Sequence, residues 1–211
     1  MKIISHRGCW QSPLEKNTEE AFIRSFELGF GTETDLRDAV GKLSISHDPP
    51  EGGELSFEGL LEIYSRFDKT LPLALNVKAD GLQKMATVLL QHYSIEEYFF
   101  FDMSIPDMIG YHRAGLRFFT RQSEIEPAPC MVQESVGIWM DNFYSDWITE
   151  LDVVPYLEEG KLVCLVSPDL HKREHRSFWE TISRWDIRDD DRLLLCTDLP
   201  ESARKLLGKS E

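Results

Sequence analysis

The regular alternation of two kinds of segment is the feature that most restricts how this sequence can fold. Eight short apolar segments of β-type alternate with about seven segments whose apolar residues recur at helical spacing. Strands that alternate with helices pair in parallel through βαβ units. Eight such units close most naturally into a barrel, so the sequence predicts an α/β fold of the (β/α)8 TIM type. A doubly wound open sheet is the structural alternative.

Capping and turn residues predict where several of these elements begin. Asn17 is a candidate N-cap with Glu20 three residues later, and Ser56 is a candidate cap of the next helix. Pro200 occupies a position where proline commonly opens a helix, here the last one. A strand is predicted over 116–120 and a helix over 147–159.

Length and composition are those of an ordinary globular chain. The 211 residues carry neither a linker nor an internal repeat, so we expect one domain over 1–211. The net charge of -14 argues against binding to nucleic acid, because phosphate backbones repel such a surface, but it permits a small phosphorylated substrate. Four widely spaced cysteines indicate free thiols rather than a disulfide framework.

Localisation signals are lacking in the sequence. No apolar run approaches the roughly 20 residues of a membrane span, so no integral membrane association is expected. The N-terminus enters a β-type segment directly, without the pattern of a secretory signal, and a cytoplasmic setting is the expectation. Nothing in the sequence specifies an oligomeric state.

Reactive side chains cluster directly after three apolar segments near the N-terminus. The clusters are His6-Arg7-Gly8, Glu33-Thr34-Asp35 and His47-Asp48. The carboxyl ends of strands are where α/β proteins build their sites. Residues 33 and 35 are two apart in a strand, so both carboxylates point to the same side, which is costly unless a cation or hydrogen bonds compensate them. The clusters predict metal-assisted acid/base chemistry on an anion.

The order and spacing of these clusters resemble the glycerophosphodiester phosphodiesterase family, which is similar in its barrel fold to phosphatidylinositol-specific phospholipases C. The matching pattern is His-Arg-Gly at 6–8, Asn-Thr at 17–18 followed by Ala-Phe at 21–22, Glu-x-Asp at 33–35 and His-Asp at 47–48. Beyond these residues the match is to the strand-helix plan. The resemblance implies hydrolysis of a glycerophosphodiester, or a similar small phosphodiester, to glycerol phosphate and an alcohol.

The resemblance also implies roles for the catalytic and phosphate-binding residues. His6 and His47 would be the general acid and base, since imidazole changes charge near neutral pH. Arg7 would bind the substrate phosphate. Lys78 matches the lysine of a family Glu-x-Lys motif and would face the substrate as well.

A divalent cation, Mg²⁺ or Ca²⁺, is the implied cofactor. Glu33 and Asp35 would bind it, because hard oxygen ligands favour these ions. The glutamate of the family Glu-x-Lys motif is replaced by Asn76, whose amide oxygen can ligate a cation but contributes no charge. We therefore expect weaker metal affinity, a different metal preference or altered activity.

The sequence departs from the family pattern at two further places, and the second of them bears on the substrate alcohol. Lys16 stands where the family usually has glutamate, and Glu15 is one residue away from that position. The fold is also predicted to be compact, without the large insertion that the family often carries after the second strand and that shapes the glycerol-side pocket. A phosphate-binding barrel with weakened or lost catalysis remains an alternative, as does a lyase-type reaction that releases a cyclic phosphate.

Overall fold

The computed structural model describes residues 1–208, and it contains nine strands and seven α-helices within that range. The strands are β1 (Lys2–His6), β2 (Gly31–Ala39), β3 (Lys42–Ile45), β4 (Leu73–Val77), β5 (Tyr98–Phe101), β6 (Phe119–Gln122), β7 (Gly137–Met140), β8 (Leu162–Val166) and β9 (Leu193–Thr197). The helices are α1 (Glu19–Glu27), α2 (Phe57–Tyr64), α3 (Gln83–Tyr93), α4 (Ile105–Arg113), α5 (Glu150–Glu158), α6 (Arg176–Ile182) and α7 (Pro200–Leu207).

Eight parallel strands alternate with helices, except that no α-helix separates β6 from β7, and β3 is the additional, antiparallel strand. This confirms the predicted (β/α)8 TIM fold over the open-sheet alternative. The chain divides into two compact units, one of residues 6–118 and one of residues 1–5 with the chain from Phe119 onward. That 1–211 form one domain stays a prediction, and its last three residues lie outside the described range.

The unit of residues 6–118 is built on parallel pairing of β2 with β4 and of β4 with β5. The β2–β4 register places Asp35 directly beside Asn76. Gly31 opens β2 at a point of close backbone approach, because a Cβ at this position would lie 2.5 Å from the carbonyl oxygen of Pro72. The carboxyl ends of β2 and β4 therefore bring their polar residues to neighbouring positions.

A tight hairpin returns the chain from β2 into β3. Val40 and Gly41 both have positive φ, at 47° and 78°, which is the conformation of a type I′ turn. The resulting antiparallel register pairs Leu36 with Ile45. The end of β3 is thereby carried back toward the middle of β2, and the loop over 46–56 follows without a large insertion.

The second unit pairs β1, β9, β8, β7 and β6 in parallel, in that order. Its apolar core lies between these strands and the helices, with Val153, Leu157, Phe178 and Trp179 buried from the helical side. The indole N–H of Trp179 donates to Ser167 Oγ at 2.9 Å, so the one polar group of this large side chain is satisfied.

Three predicted boundaries were wrong. Thr18, not Asn17, is the N-cap of α1, and its hydroxyl accepts from the N–H of Ala21. The strand predicted over 116–120 begins at Phe119, since Phe118 forms only an isolated bridge with a neighbouring strand. The helix predicted over 147–159 begins at Glu150.

Other predictions agree with the structure. Ser56 caps α2 and Pro200 opens α7. Within residues 1–208, the cysteines are free thiols.

None of the helices in the described part of the chain has the length and apolarity needed to cross a bilayer.

Replacing Ser56 by alanine is expected to lower the free energy of unfolding by about 1 kcal/mol, because the Ser56 hydroxyl accepts from the N–H of Gly59 at 3.0 Å. Ser65 at the other end of α2 is the matched control, since its buried hydroxyl has no hydrogen-bond partner among the described residues. Urea unfolding of S56A and S65A measures both effects. A loss as large in S65A as in S56A would contradict the capping role.

Candidate active site

The loop that follows β1 has an unusual backbone that is fixed by β2 and α1. Arg7 has a positive φ of 59°, and its N–H donates to the backbone oxygen of Glu33 at 3.0 Å. The N–H of Gly8 donates to Thr32 Oγ1 at 3.1 Å. A Cβ on Gly8 would lie 2.7 Å from the Cβ of Ala21, so only glycine fits between the loop and α1. The fold thus holds the Arg7 backbone over the carboxyl end of β2.

The carboxylate of Asp35 is fully buried at the centre of this site. Its Oδ2 lies 2.8 Å from Arg7 Nε, and this contact is an ion pair without the alignment of a hydrogen bond. The same oxygen accepts a hydrogen bond from Asn17 Nδ2 at 2.9 Å. Its Oδ1 lies 3.4 Å from Lys78 Nζ. Two cationic side chains and one amide therefore compensate a carboxylate that burial would otherwise make costly.

Asn17 is a residue of the site whose role sequence reasoning missed. Its φ is 62°, its N–H donates to the backbone oxygen of Arg7 at 3.0 Å, and its Oδ1 accepts from the hydroxyl of Thr34 at 2.9 Å. It therefore orients Asp35 and fixes the Arg7 loop at the same time. Asparagine is enriched at positive φ, and this preference together with the Asn-Thr motif was the available signal.

Glu33 is the second buried carboxylate, with a fractional exposure of 1%. Burial and the negative charge of Asp35 raise its pKa to about 7, while the nearby charges of His6, Arg7 and Lys78 act in the opposite direction. Its Oε2 lies 3.8 Å from His6 Nε2 and accepts from the N–H of Arg7 at 3.2 Å. The His6 backbone is tied in turn by the indole of Trp10, which donates to its oxygen at 3.2 Å.

Three buried oxygens of the site have no hydrogen-bond partner among the described residues: Glu33 Oε1, Asp35 Oδ1 and Asn76 Oδ1. They come from the neighbouring strands β2 and β4, and two carboxylates with one amide form an oxygen donor set of the kind that Mg²⁺ and Ca²⁺ prefer. Within residues 1–208 no group of three His, Cys, Asp or Glu side chains is placed to hold a metal, since the third donor here is an amide. The donor types fit a cation, with less charge than three carboxylates would supply.

His47 reaches the site through the hairpin. The N–H of Ser46 donates to the backbone oxygen of Asp35 at 3.1 Å, which fixes the start of the loop beside β2. The His47 side chain is half exposed, and its Nδ1 lies 3.1 Å from Asp48 Oδ1. His47 lines a cleft of about 580 Å³ together with Arg7 and Asn17. The structure thus brings His47 to the same cleft as Arg7.

Glu15 and Lys16 have separate positions. The Glu15 carboxylate accepts from the N–H of Gln11 at 3.0 Å and pairs with Arg24 at 2.9 Å, and these contacts lower the pKa of Glu15. The ammonium group of Lys16 lies 4.5 Å from the centre of the Trp10 ring, and its side chain lines the cleft. Glu15 therefore stabilises the loop between β1 and α1, and Lys16 adds a positive charge to the lining of the cleft.

Solved structures similar to this chain bear on the fold. A glycerophosphodiester phosphodiesterase from Agrobacterium tumefaciens strain C58 superposes with a TM-score of 0.71 over 95% of this chain and 97% of that chain, at 16% sequence identity. At this identity the likeness concerns the fold, and it supports the (β/α)8 assignment over nearly the whole length of both chains.

A dihydropteroate synthase from Xanthomonas albilineans gives a TM-score of 0.48 at 12% identity, covering 98% of this chain and 89% of that chain. This similarity is too low to support a comparison of sites. No protein-family model and no curated protein matches the sequence.

Replacing Glu33 by glutamine is expected to change how stability depends on pH in cation-free buffer. The raised Glu33 pKa means that the folded state holds a proton that the unfolded state has released, so stability falls as the pH rises from about 4.5 to about 7. E33Q should lack this decrease of stability with rising pH. The difference in stability between E33Q and the parent should therefore favour E33Q more at pH 8 than at pH 5. Denaturant unfolding at both pH values measures the change. The exposed Glu20 provides the control E20Q, and an identical slope in E33Q and the parent would refute the buried-carboxylate account.

Proposed function

We propose that this chain is a metal-dependent phosphodiesterase that hydrolyses a glycerophosphodiester, or a similar small phosphodiester, to glycerol phosphate and an alcohol. One observation carries the proposal. Arg7 and Lys78 both contact the buried carboxylate of Asp35, beside Glu33 and His6. Two fixed cations next to oxygen ligands and an imidazole form a site for an anion that undergoes acid/base chemistry. The fold similarity to a glycerophosphodiester phosphodiesterase supports the same class of reaction.

Phosphate binding would fall to Arg7 and Lys78. The carboxylate of Asp35 offsets one of the two positive charges of Arg7 and Lys78, so these two side chains together retain one positive charge for a bound phosphodiester. A guanidinium group has five N–H donors, and the contact with Asp35 engages Nε, which leaves the terminal nitrogens of Arg7 for phosphate oxygens. Because Asp35 and Asn17 hold these groups in place, they need little rearrangement when substrate binds.

Acid/base catalysis would use the two histidines in different surroundings. His6 lies beside the buried Glu33, whereas His47 is half exposed beside Asp48. One imidazole would deprotonate the nucleophile, which is water or a neighbouring substrate hydroxyl, and the other would protonate the leaving alkoxide. Attack by water gives hydrolysis, and attack by a substrate hydroxyl would give a cyclic phosphate.

Glu33, Asp35 and Asn76 would hold a divalent cation, either Mg²⁺ or Ca²⁺. When bound, this ion would offset negative charge that develops on the phosphoryl group. The buried oxygens of these three residues that lack a hydrogen-bond partner among the described residues support the assignment. Because Asn76 is uncharged, the two carboxylates alone supply negative charge to the ion.

A phosphate-binding barrel with weakened or lost catalysis is the second candidate. The neutral Asn76 and the short loop over 46–56 favour it. The retention of His6, His47 and both buried carboxylates favours the enzyme. Turnover measurements separate the two.

Turnover of bis(p-nitrophenyl) phosphate and of glycerophosphocholine tests the proposed activity. H6Q and H47Q are each expected to lower kcat on the order of 10²-fold or more, because each removes a proton-transfer group. H92Q on the exposed face of α3 is the control and should retain activity. Activity should also disappear with EDTA and return with Mg²⁺ or Ca²⁺. Folded protein that turns over neither ester with either ion would favour the binding-only barrel.

Replacing Asn76 by glutamate is expected to tighten cation binding by about tenfold or more, since it adds a third carboxylate to the donor set. Isothermal titration with Mg²⁺ and Ca²⁺ measures this change without reference to activity. The isosteric N76D, with a shorter reach, separates the effect of charge from that of geometry. Unchanged affinity in both variants would place the cation away from Asn76.

A further inference from the structure

The side chain of Lys16 covers an aromatic ring at the cleft of the candidate active site. Its ammonium group lies over the Trp10 ring, 4.5 Å from the ring centre. Trp10 belongs to the loop after β1, and its indole N–H donates to the backbone oxygen of His6 at 3.2 Å. Lys16 lines the cleft of about 580 Å³, whereas Trp10 is not among the described residues that line it. A ligand in this part of the cleft therefore meets the ammonium of Lys16 and not the ring beneath it.

Contacts on both sides of Lys16 fix its backbone relative to the proposed phosphate site. The N–H of Asn17 donates to the backbone oxygen of Arg7 at 3.0 Å. On the other side, the Glu15 carboxylate pairs with Arg24 at 2.9 Å. Arg7 and Lys16 line the same cleft. A phosphodiester held by Arg7 would therefore place one of its alcohols in the space that Lys16 borders.

The other charged groups of this lining are acidic, and two of them are engaged locally. The Glu54 carboxylate accepts from backbone N–H groups of the preceding loop at 2.7 to 3.1 Å. Asp48 Oδ1 lies 3.1 Å from Nδ1 of the neighbouring histidine. Glu19 is exposed in the first turn of α1, where a carboxylate is favoured by the helix dipole. With Arg7 assigned to the phosphate, Lys16 is the cationic lysine or arginine of this lining, among residues 1–208, that can meet the rest of a substrate.

An ammonium group that covers an indole selects against one class of alcohol. The face of an indole attracts cations, and this attraction is how proteins bind quaternary ammonium groups. Here an ammonium of the protein already occupies one face of the Trp10 ring. A choline-type alcohol would lose that contact and would also be repelled by the like charge of Lys16. A carboxylate or a phosphate on the alcohol would instead be attracted by it.

We propose that Lys16 is a specificity-determining residue that favours phosphodiesters whose alcohol carries an anionic group and disfavours those whose alcohol carries a quaternary ammonium group. The inference rests on the proposed function for the phosphodiester itself, and it adds the charge of the alcohol. Lys16 takes no part in proton transfer, so its effect lies in the ratio between substrates.

The glycerophosphodiesters of choline, propanol and 3-hydroxypropionate test this preference, because their alcohols are cationic, neutral and anionic. Isothermal titration in EDTA measures the three dissociation constants in the absence of the proposed cation. The parent protein is expected to bind the anionic ester about tenfold more tightly than the choline ester, since attraction and repulsion by one partly exposed charge each contribute a factor of a few. The neutral ester should lie between them.

Two variants of Lys16 test its role in this preference. K16M removes the charge and should bring the dissociation constants of the two charged esters to within about twofold of each other. K16E should reverse the preference, because the choline ester is then the attracted one. K84M removes an exposed lysine of α3 and is the control that should keep the parent's preference. The kcat/KM values with Mg²⁺ or Ca²⁺ should follow the same order.

Binding and turnover together distinguish a failure of this inference from a failure of the proposed function. If the parent turns over none of the esters with either ion, the proposed function is refuted, and the dissociation constants still decide the role of Lys16. Binding of the choline ester by the parent as tightly as the anionic one, or a preference that K16M retains, would overturn the inference. K16M decides the outcome even if K16E fails to fold, and folded parent protein that binds none of the esters would overturn both proposals.

Discussion

Burial of the Asp35 carboxylate is the constraint on which the rest of the candidate active site depends. A buried carboxylate is tolerated only when opposite charges and hydrogen bonds compensate it. Arg7, Lys78 and Asn17 provide this compensation, and each comes from a different segment of the chain. Satisfying one carboxylate therefore assembles the cations that the proposed reaction needs. The same interaction contributes to the fold and to the site.

Backbone conformation is the second requirement, because two of the three compensating residues adopt a backbone conformation that is uncommon for residues other than glycine. Arg7 and Asn17 both have positive φ, and the backbone N–H of Asn17 donates to the backbone oxygen of Arg7. Non-glycine residues in this conformation are uncommon and cluster at functional sites. The absence of a side chain at Gly8 lets the loop pack against α1. Packing against α1 and β2 holds a conformation that the loop alone would not favour.

Much of this arrangement could be predicted from the sequence, because it depends on local pattern. The strand-helix alternation predicted the fold class, and the spacing of Glu33 and Asp35 predicted that both carboxylates share one side of β2. The role of Asn17 could not be predicted in the same way, since its contact with Asp35 spans 18 residues and depends on a positive φ. Local pattern indicated a helix cap, and the neighbouring Thr18 has that role.

Contacts between residues far apart in the sequence also explain why the contact of His171 with Asp141 in the second unit could not be predicted. The segment around His171 has the composition of a solvated loop, and its contact with Asp141 spans 30 residues. Periodicity carries no information about such a pair, because both residues lie outside the strands.

A crystal structure of the protein with glycerol 3-phosphate tests the central claim most directly. That claim is that Asp35 holds Arg7 and Lys78 as a phosphate site. We expect the phosphate to contact the Arg7 guanidinium and the Lys78 ammonium, with Asp35 still in contact with both. Phosphate bound elsewhere, or bound in this cleft without contacting either side chain, would contradict the account.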